Sequence, residues 1–313
     1  MRILGKGLIL SFFITGLLLL IIIPSVFASG FYIKDEFDSL NGWNLTGSNI
    51  SSSSGSLSFD TTATTATTAK KTVQSIPDKY IAEFKVRIEA LSGSQKFGLQ
   101  IYDGTNRLFI LLYGGNTMVS GSNISPAVLN PNGSVYVWRA VVDSGFVTLY
   151  RGDENGGNMI KLNSNPVSLQ SNGTAPTISF YAESGIGIKV QVDYIKIYSG
   201  TIIDDVTFKY DGQKAENLIS GNTLTTGVSI INGDISKAQD ALVVSALYDK
   251  DNMMLGFNFE KIKIEAGKSD TISIPLLLSQ EYGELSNCKI MVYVWDSILS
   301  MQSYTDNIVF PNQ

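Results

Sequence analysis

Carboxylates are the groups in this 313-residue chain that could do acid–base work. Two of them an even number of residues apart on one strand share a face, and the gap between them decides whether a glycosidic bond is cleaved with retention or inversion. An E-x-D-x-E or E-x-D-x-x-E run would set such acids together on one strand. None of Glu36, Glu83, Glu89, Glu154, Glu183, Glu216, Glu260, Glu265, Glu281 or Glu284 stands in one. A glycoside hydrolase or lyase would have to assemble its Asp and Glu from different strands. Histidine is absent, which removes Ser-His and Cys-His nucleophilic pairs together with every imidazole metal site. A metal here must therefore be held by oxygen, and that chemistry points to calcium. The one cysteine, Cys288, has no partner for an intrachain disulfide and sits in the apolar run "NCKIMVYVW", where it reads as a small core hydrophobe.

Binding chemistry is easier to place. Gln100 and Tyr102 alternate with Phe97, Leu99 and Ile101, and Tyr181 and Glu183 alternate with Ile178 and Phe180. If the polar sides of these strands meet on one concave sheet, their rings, amide and carboxylate make a glycan cleft, with Arg107 of the "DGTNRL" turn beside them. The plain alternative is a solvated outer sheet face. Trp43 and Trp138 are the other aromatic candidates, and packing is the default expectation for Trp43.

The elements that must position these residues are strands. Between residues 31 and 198, "KYIAEFKVRIEA", "KFGLQIYDG", "RLFILLYGG", "SVYVWRAVVDSG", "FVTLYRGDENGG", "PTISFYAES" and "IKVQVDYIKIYSG" alternate or run apolar between Gly, Asn, Asp and Ser turns, and no segment holds a helical period. The Gly/Ser/Thr-rich residues 47–72, including "TTATTATTAKK", read as a loop rather than a strand. In "KVQVDYIKIY" strict alternation puts Asp193 on the side of Ile195 and Ile197, with Tyr194, Lys196 and Tyr198 opposite. From about residue 201 onward the strands "TLTTGVSIIN", "ALVVSALYD", "MMLGFNFEKIKI", "SDTISIPLLL", "CKIMVYVWDS" and "TDNIVF" follow, with a hairpin turn at Asp249–Asn252. The expected class is all-β, in two units spanning 29–200 and 201–313.

Residues 1–28 read as a signal peptide: Arg2 and Lys6, an apolar run over 8–23, and a small-residue exit at Ala28. The expected product is secreted or at the cell surface, with no membrane association after cleavage. Losing Arg2 and Lys6 leaves 21 of 23 cationic side chains against 28 acids, a net charge of −7, and so an unfavourable partner for nucleic acid.

The stretches "DEFDSLNGW", "VWRAVVDSGFVTLYRGDENG" and "VQVDYIKIYSG" resemble the concanavalin A-like and laminin-G-like jelly rolls of bacterial secreted proteins, a superfamily in which the first and last strands lie side by side. The stretches "ALVVSALYDKDNMML", "IKIEAGKSDTISIPLLL" and "VYVWDSILSM" resemble an immunoglobulin-like, fibronectin-III-like C-terminal accessory module of Gram-positive secreted and cell-surface proteins. That family usually has a proline after the last Met, where Gln302 stands here. The resemblance implies a jelly-roll sandwich followed by a smaller immunoglobulin-like sandwich, and treats Trp295 as a core-packing residue and Asp296 as a turn residue. Related jelly rolls hold calcium where the termini meet, which implies a structural Ca²⁺ shared by Asp193 with Asp35 or Asp38. Asp193 capped by backbone N–H groups of the N-terminal segment is the alternative. The "DEF" start also resembles laminarinase-type glucanases, but without their paired carboxylates. The expectation is a non-catalytic protein that binds an extracellular glycan or a cell-envelope component. An enzyme and a purely structural envelope protein are the competing classes.

Overall fold

The computed structural model describes residues 31–47, 49–61, 66–183, 187–234, 237–296 and 308–311; the expected signal peptide lies outside them. Strands β1 (Phe31–Asp35) and β17 (Lys189–Tyr198) run antiparallel, so the first and last strands of the larger unit are neighbours. Strand β17 is the spine of a nine-stranded sheet. On one side it pairs β6 (Lys79–Ala90), and on the other it takes β4 (Leu57–Asp60) along its first half and β1 along its second. Beyond β6 follow β11 (Ser134–Asp143) and β12 (Phe146–Gly152), then the short β13 (Ile160–Lys161) and β14 (Val167–Ser168). Strand β3 (Ile50–Ser52) closes the β4 side.

The facing eight-stranded sheet has the order β10 (Ser122–Asn123), β9 (Thr117–Val119), β8 (Asn106–Tyr113), β7 (Lys96–Tyr102), β16 (Thr177–Ala182), β5 (Thr67–Thr72), β2 (Trp43–Thr46). Strand β15 (Gln170–Ser171) adds to β8. One core joins the inner faces: Phe84, Val86, Trp138, Ile195 and Ile197 from the first sheet meet Phe97, Leu99, Leu108, Ile110 and Phe180 from the second. This is an all-β jelly-roll sandwich. Residues 47–72 depart from their expected loop: β3 and β4 fall within them, and the threonine-rich part pairs as well. Residues 67–72 are strand β5, with Thr67 and Ala69 turned inward and almost fully buried. Alternating β-branched and small side chains suit a half-buried strand, and here neighbouring strands β2 and β16 supply the pairing that composition does not reveal.

Asp193 also departs from its expected place. Strand β17 carries a bulge between Val192, opposite Val86, and Tyr194, opposite Lys85, so Asp193 is the extra residue. The bulge shifts the phase of the strand. Val190 and Val192 point inward before it and Ile195 and Ile197 after it, all buried, whereas strict alternation would expose one pair. Asp193 itself is partly exposed and pairs with Lys85 at 3.3 Å, so it is neither in the core nor capped by backbone.

The remaining strands form a second sandwich. One four-stranded sheet has the order β19 (Gln213–Lys214), β18 (Thr201–Tyr210), β20 (Thr223–Asn232), β23 (Ser269–Leu277). The other has the order β22 (Met254–Ile264), β21 (Gln239–Tyr248), β24 (Lys289–Trp295), β25 (Ile308–Phe310). Leu224, Val228, Ile230 and Ile274 pack across to Val243, Leu247, Ile290, Val292 and Val294, with Cys288 buried beside them. Pro275 sits on the edge strand β23, where its missing N–H costs no ladder bond. The hairpin turn closes as expected, Asp249 N–H to Met253 O at 3.0 Å and Asn252 N–H to Asp249 O at 3.1 Å, with Asn252 left-handed at φ 61°. Trp295 departs from its expected core position. Val292 and Val294 take the inward positions, and Trp295 lies half-buried on the outward side with Tyr293, 5.3 Å ring to ring, over Leu242 and Val244.

The two sandwiches meet on the outward face of the nine-stranded sheet. Ile81 and fully buried Tyr198 pack against Ile202 and Ile231. Beside them Arg139 grips Glu83 through Nε at 2.8 Å and Nη2 at 2.6 Å, while its Nη1 donates to Gly267 O of the second sandwich at 2.8 Å. Tyr194 Oη adds a third donor to Glu83 at 3.0 Å. Among the described residues no helix is long and apolar enough to cross a membrane.

Two outcomes are expected in urea unfolding. Deleting Asp193 turns Ile195 and Ile197 out of the core, at about 1.5–3 kcal/mol each, and should abolish cooperative folding, whereas Asp193→Ala should cost about 1 kcal/mol or less. Glu83→Ala leaves Arg139 buried without its counter-charge and should cost about 3–5 kcal/mol, most of it recovered by pairing Glu83→Leu with Arg139→Met.

Candidate functional site

Strand pairing brings the five expected binding residues to one place. In β7 and β8, Gln100 lies opposite Phe109 and Tyr102 opposite Arg107; in β7 and β16, Gly98 lies opposite Tyr181 and Gln100 opposite Ser179. Directly paired residues in a sheet point to the same side. Their neighbours Leu99, Ile101, Leu108, Ile110 and Phe180 are fully buried, so this group occupies the outward face of the eight-stranded sheet. Glu183 follows β16 on the same side, its backbone N–H bonded to Lys96 O at 2.9 Å.

The group is built around stacked rings. Phe109 and Tyr181 lie parallel, 5.6 Å apart with 7° between their planes. The Arg107 guanidinium sits 4.5 Å from the Phe109 ring centre and 5.7 Å from that of Tyr102. Tyr102 Oη donates to Gln100 Oε1 at 3.3 Å. At the far end Lys96 bonds Glu183 at 2.7 Å and lies 5.8 Å from the ring of Tyr113, whose hydroxyl reaches Met118 Sδ at 3.9 Å. Gly98 makes the stack possible. A Cβ there would fall 2.4 Å from Ile110 O and 3.1 Å from Tyr181 Cε1, so only glycine lets the ring lie flat over β7. Burial and the neighbouring Glu183 carboxylate push the Tyr181 phenol well above its ordinary range, so it stays a neutral hydrogen-bonding group. All of these side chains are half-buried, so each keeps some surface that a ligand can reach.

Phe109, Tyr113 and Lys96 belong to the site but were not foreseen. "RLFILLY" is apolar on both faces, so its period names no outward side; only the register with β7 does. The trace in the sequence was Arg107 followed at even spacing by Phe109 and Tyr113. Trp43 and Trp138 are not ligand platforms. Trp138 is fully buried in the core, and Trp43 is 6% exposed between Phe37 and Phe180.

The acids proposed for calcium are not brought together. Asp35 is engaged on both oxygens: Oδ1 accepts from Phe37 N–H at 3.0 Å, and Oδ2 accepts from Trp43 Nε1 at 2.9 Å and Lys71 Nζ at 2.7 Å. Asp38 is exposed in the bend after β1, near Gly55, and Asp193 faces Lys85 as described. Among the described residues no cluster of three acidic or thiol groups is placed to hold a metal. Asp35, not Asp193, is the acid that ties down the N-terminal segment. Its bond to Phe37 holds that fully buried ring in a left-handed backbone at φ 56°, a costly geometry for a bulky residue.

Two grooves open elsewhere. One is lined by Met254, Phe257, Pro275 and Tyr282 of the second sandwich, the other by Lys79, Phe146, Gly200 and Asp234 at the seam between the sandwiches. The second sandwich also presents an aromatic face of its own, on which exposed Phe257 and Phe259 extend the row begun by Tyr293 and Trp295.

No protein-family model matches the chain, and no curated protein matches it. Solved structures match about half of it. A xylan β-1,4-xylosidase from Bacillus halodurans is 11% identical with a TM-score of 0.36, over 46% of this chain and 33% of the xylosidase. The Ca²⁺-bound exoplasmic/lumenal domain of VIP36 is 11% identical with a TM-score of 0.41, over 54% of this chain and 89% of that domain. A Bacillus subtilis protein of unknown function with a galectin-like fold is 12% identical with a TM-score of 0.40, over 55% and 97%. The chemistry of this chain must be read from its own residues.

Asp35→Ala should cost about 1–3 kcal/mol through the orphaned Lys71 and Trp43 donors. Thermal melts of the wild-type protein should coincide with and without a calcium chelator, because the Asp35 oxygens are already occupied. A chelator-induced drop of several degrees would restore the metal.

Proposed function

We propose that this protein binds an extracellular glycan on the outward face of its eight-stranded sheet and does not cleave it. The observation that carries this reading is the shared face of Tyr102, Phe109 and Tyr181 with Gln100, Arg107 and Glu183. Sugar rings present apolar C–H faces and equatorial hydroxyls. A stack of rings edged by amide, guanidinium and carboxylate groups meets both requirements. The non-catalytic reading rests on the acids. Hydrolysis by carboxylates needs two, and among the described residues of this face Glu183 stands alone, tied to Lys96.

The second sandwich, eight strands in two sheets of four, is read as an immunoglobulin-like accessory module. Its contacts at Arg139 and Tyr198 support a fixed mount rather than a loose tether. With residues 1–28 as a signal peptide, the mature chain works outside the cell or on its surface, and the glycan is either free or part of a cell envelope. Calcium is no part of this reading.

Glycan-array binding by the mature chain, residues 29–313, followed by a product assay on each polysaccharide bound, tests the proposal. Binding without products is expected, weakened about 3- to 10-fold by Tyr102→Ala or Tyr181→Ala through the loss of one ring contact. Released sugars would overturn the non-catalytic reading, and silence across the array would favour an envelope-structural role.

A further inference from the structure

We infer that the ligand is an acidic polysaccharide, whose carboxylate or sulfate groups are received by Arg107 and Lys70. This deepens the glycan-binding reading and rests on it. The chain as a whole is acidic, at −5, yet the outward face of the eight-stranded sheet has the opposite sign. Lys70 of β5 lies opposite Ser179, Lys96 opposite Tyr113 and Arg107 opposite Tyr102, which sets three cations on this face against the single carboxylate of Glu183. Glu183 is taken up by Lys96 at 2.7 Å. Lys70 is exposed, and no described carboxylate lies within ion-pairing reach of it or of Arg107.

Arg107 is the more telling of the two. Its Nε is shut off from water with no hydrogen-bond partner, while its guanidinium lies over Phe109 and Tyr102. Unlike Arg139, which is partly buried against Glu83, Arg107 has lost part of its hydration and gained no counter-charge. A planar guanidinium fixed on aromatic rings presents its remaining N–H edge in the fork geometry that matches a carboxylate or sulfate. Polar neighbours without charge complete the surroundings: Gln170 lies opposite Arg107 on β15, Gln100 is one strand away, and Asn44 lies opposite Lys70 on β2.

The spacing argues for a polymer rather than a lone anion. Three strand intervals, about 14 Å, separate β5 from β8. The two uncompensated cations therefore lie too far apart for one small acid and suit successive charged sugars, with Ser179 of β16 and Gln100 and Tyr102 of β7 on the strands between them. Lys70 sits at the exposed end, where its attraction is screened by salt; Arg107, partly desolvated, is screened less.

The test uses the mature chain, with polygalacturonate, alginate and dextran sulfate as acidic probes and methyl-esterified polygalacturonate, xylan and β-glucan as neutral ones. Binding to one or more acidic probes is expected, with loss of affinity on methyl esterification, which removes the charge but keeps the sugar ring. Arg107→Gln should weaken binding tenfold or more, and Lys70→Gln should weaken it less while flattening the salt dependence. Lys209→Gln, the same change of net charge on the second sandwich, should leave affinity unchanged. Thermal melts of each variant separate lost binding from lost folding, and Lys70→Gln, an exposed position, supplies a variant whose fold is not at risk. Equal affinity for the ester and its acid, or an Lys209→Gln effect as large as that of Arg107→Gln, would overturn the acidic ligand. Binding to neutral probes alone would do so while leaving the glycan-binding reading intact. No binding to any probe would remove both.

Discussion

The sandwich depends on one strand doing two jobs, and on one extra residue that lets it. Strand β17 must bury Val190 and Val192 against one stretch of the core and Ile195 and Ile197 against the next, while pairing with β6 along its whole length. A regular strand cannot do this, because the pleat puts residues separated by an odd number on opposite sides. Asp193 absorbs the mismatch as a bulge. The second half of β17 then lies correctly for β1, and β1 ends at Asp35, whose two oxygens anchor Phe37, Trp43 and Lys71. Strand β1 and the last strand of the sandwich are thus locked by a single correction of phase.

That lock also decides which face is free. After the bulge the outward residues of β17 are Tyr194, Lys196 and Tyr198. Tyr198 packs against Ile202 and Ile231, Tyr194 bonds Glu83, and Lys196 reaches Asp204 at 2.6 Å. The second sandwich covers this part of the nine-stranded sheet, and its hold includes an ion pair withdrawn from water. Such a pair adds little net stability over apolar groups, but breaking it is costly and its geometry is directional. The outward face of the eight-stranded sheet carries no such cover among the described residues. The half-buried rings and the two uncompensated cations lie there.

The aromatic shelf and the accessory sandwich follow related rules. Phe109 and Tyr181 stack because Gly98 leaves the space beneath them. In the second sandwich, Gly256 lies against the Tyr282 hydroxyl, which an added Cβ would approach to 2.7 Å. In the first sandwich the outward rings stand on strands whose inward residues are fully buried, so the rings are held in place without belonging to the core. What distinguishes the first face is its polar edge of Gln100, Arg107, Lys96 and Glu183 around the rings.

Much of this was legible in the residues alone. The class, most of the strands, the hairpin at Asp249–Asn252 and the adjacency of the first and last strands follow from alternation, turn residues and resemblance. Alternation also put Gln100, Tyr102, Tyr181 and Glu183 on the outward side of their strands. Three things needed the tertiary structure. The bulge at Asp193 was hidden because period two was carried through a residue that breaks it, and the sign of the whole strand's second half depended on that. Residues 67–72 became a strand because β2 and β16 pair with them, a long-range fact that a threonine-rich composition cannot convey. The partners of Arg107 and Tyr181 were decided by register: "RLFILLY" is apolar throughout, and only pairing with β7 turns Phe109 outward beneath the guanidinium. Local periodicity tells which side of a strand a residue occupies; which neighbour it meets there is set by pairing across the sheet, between residues far apart in the chain.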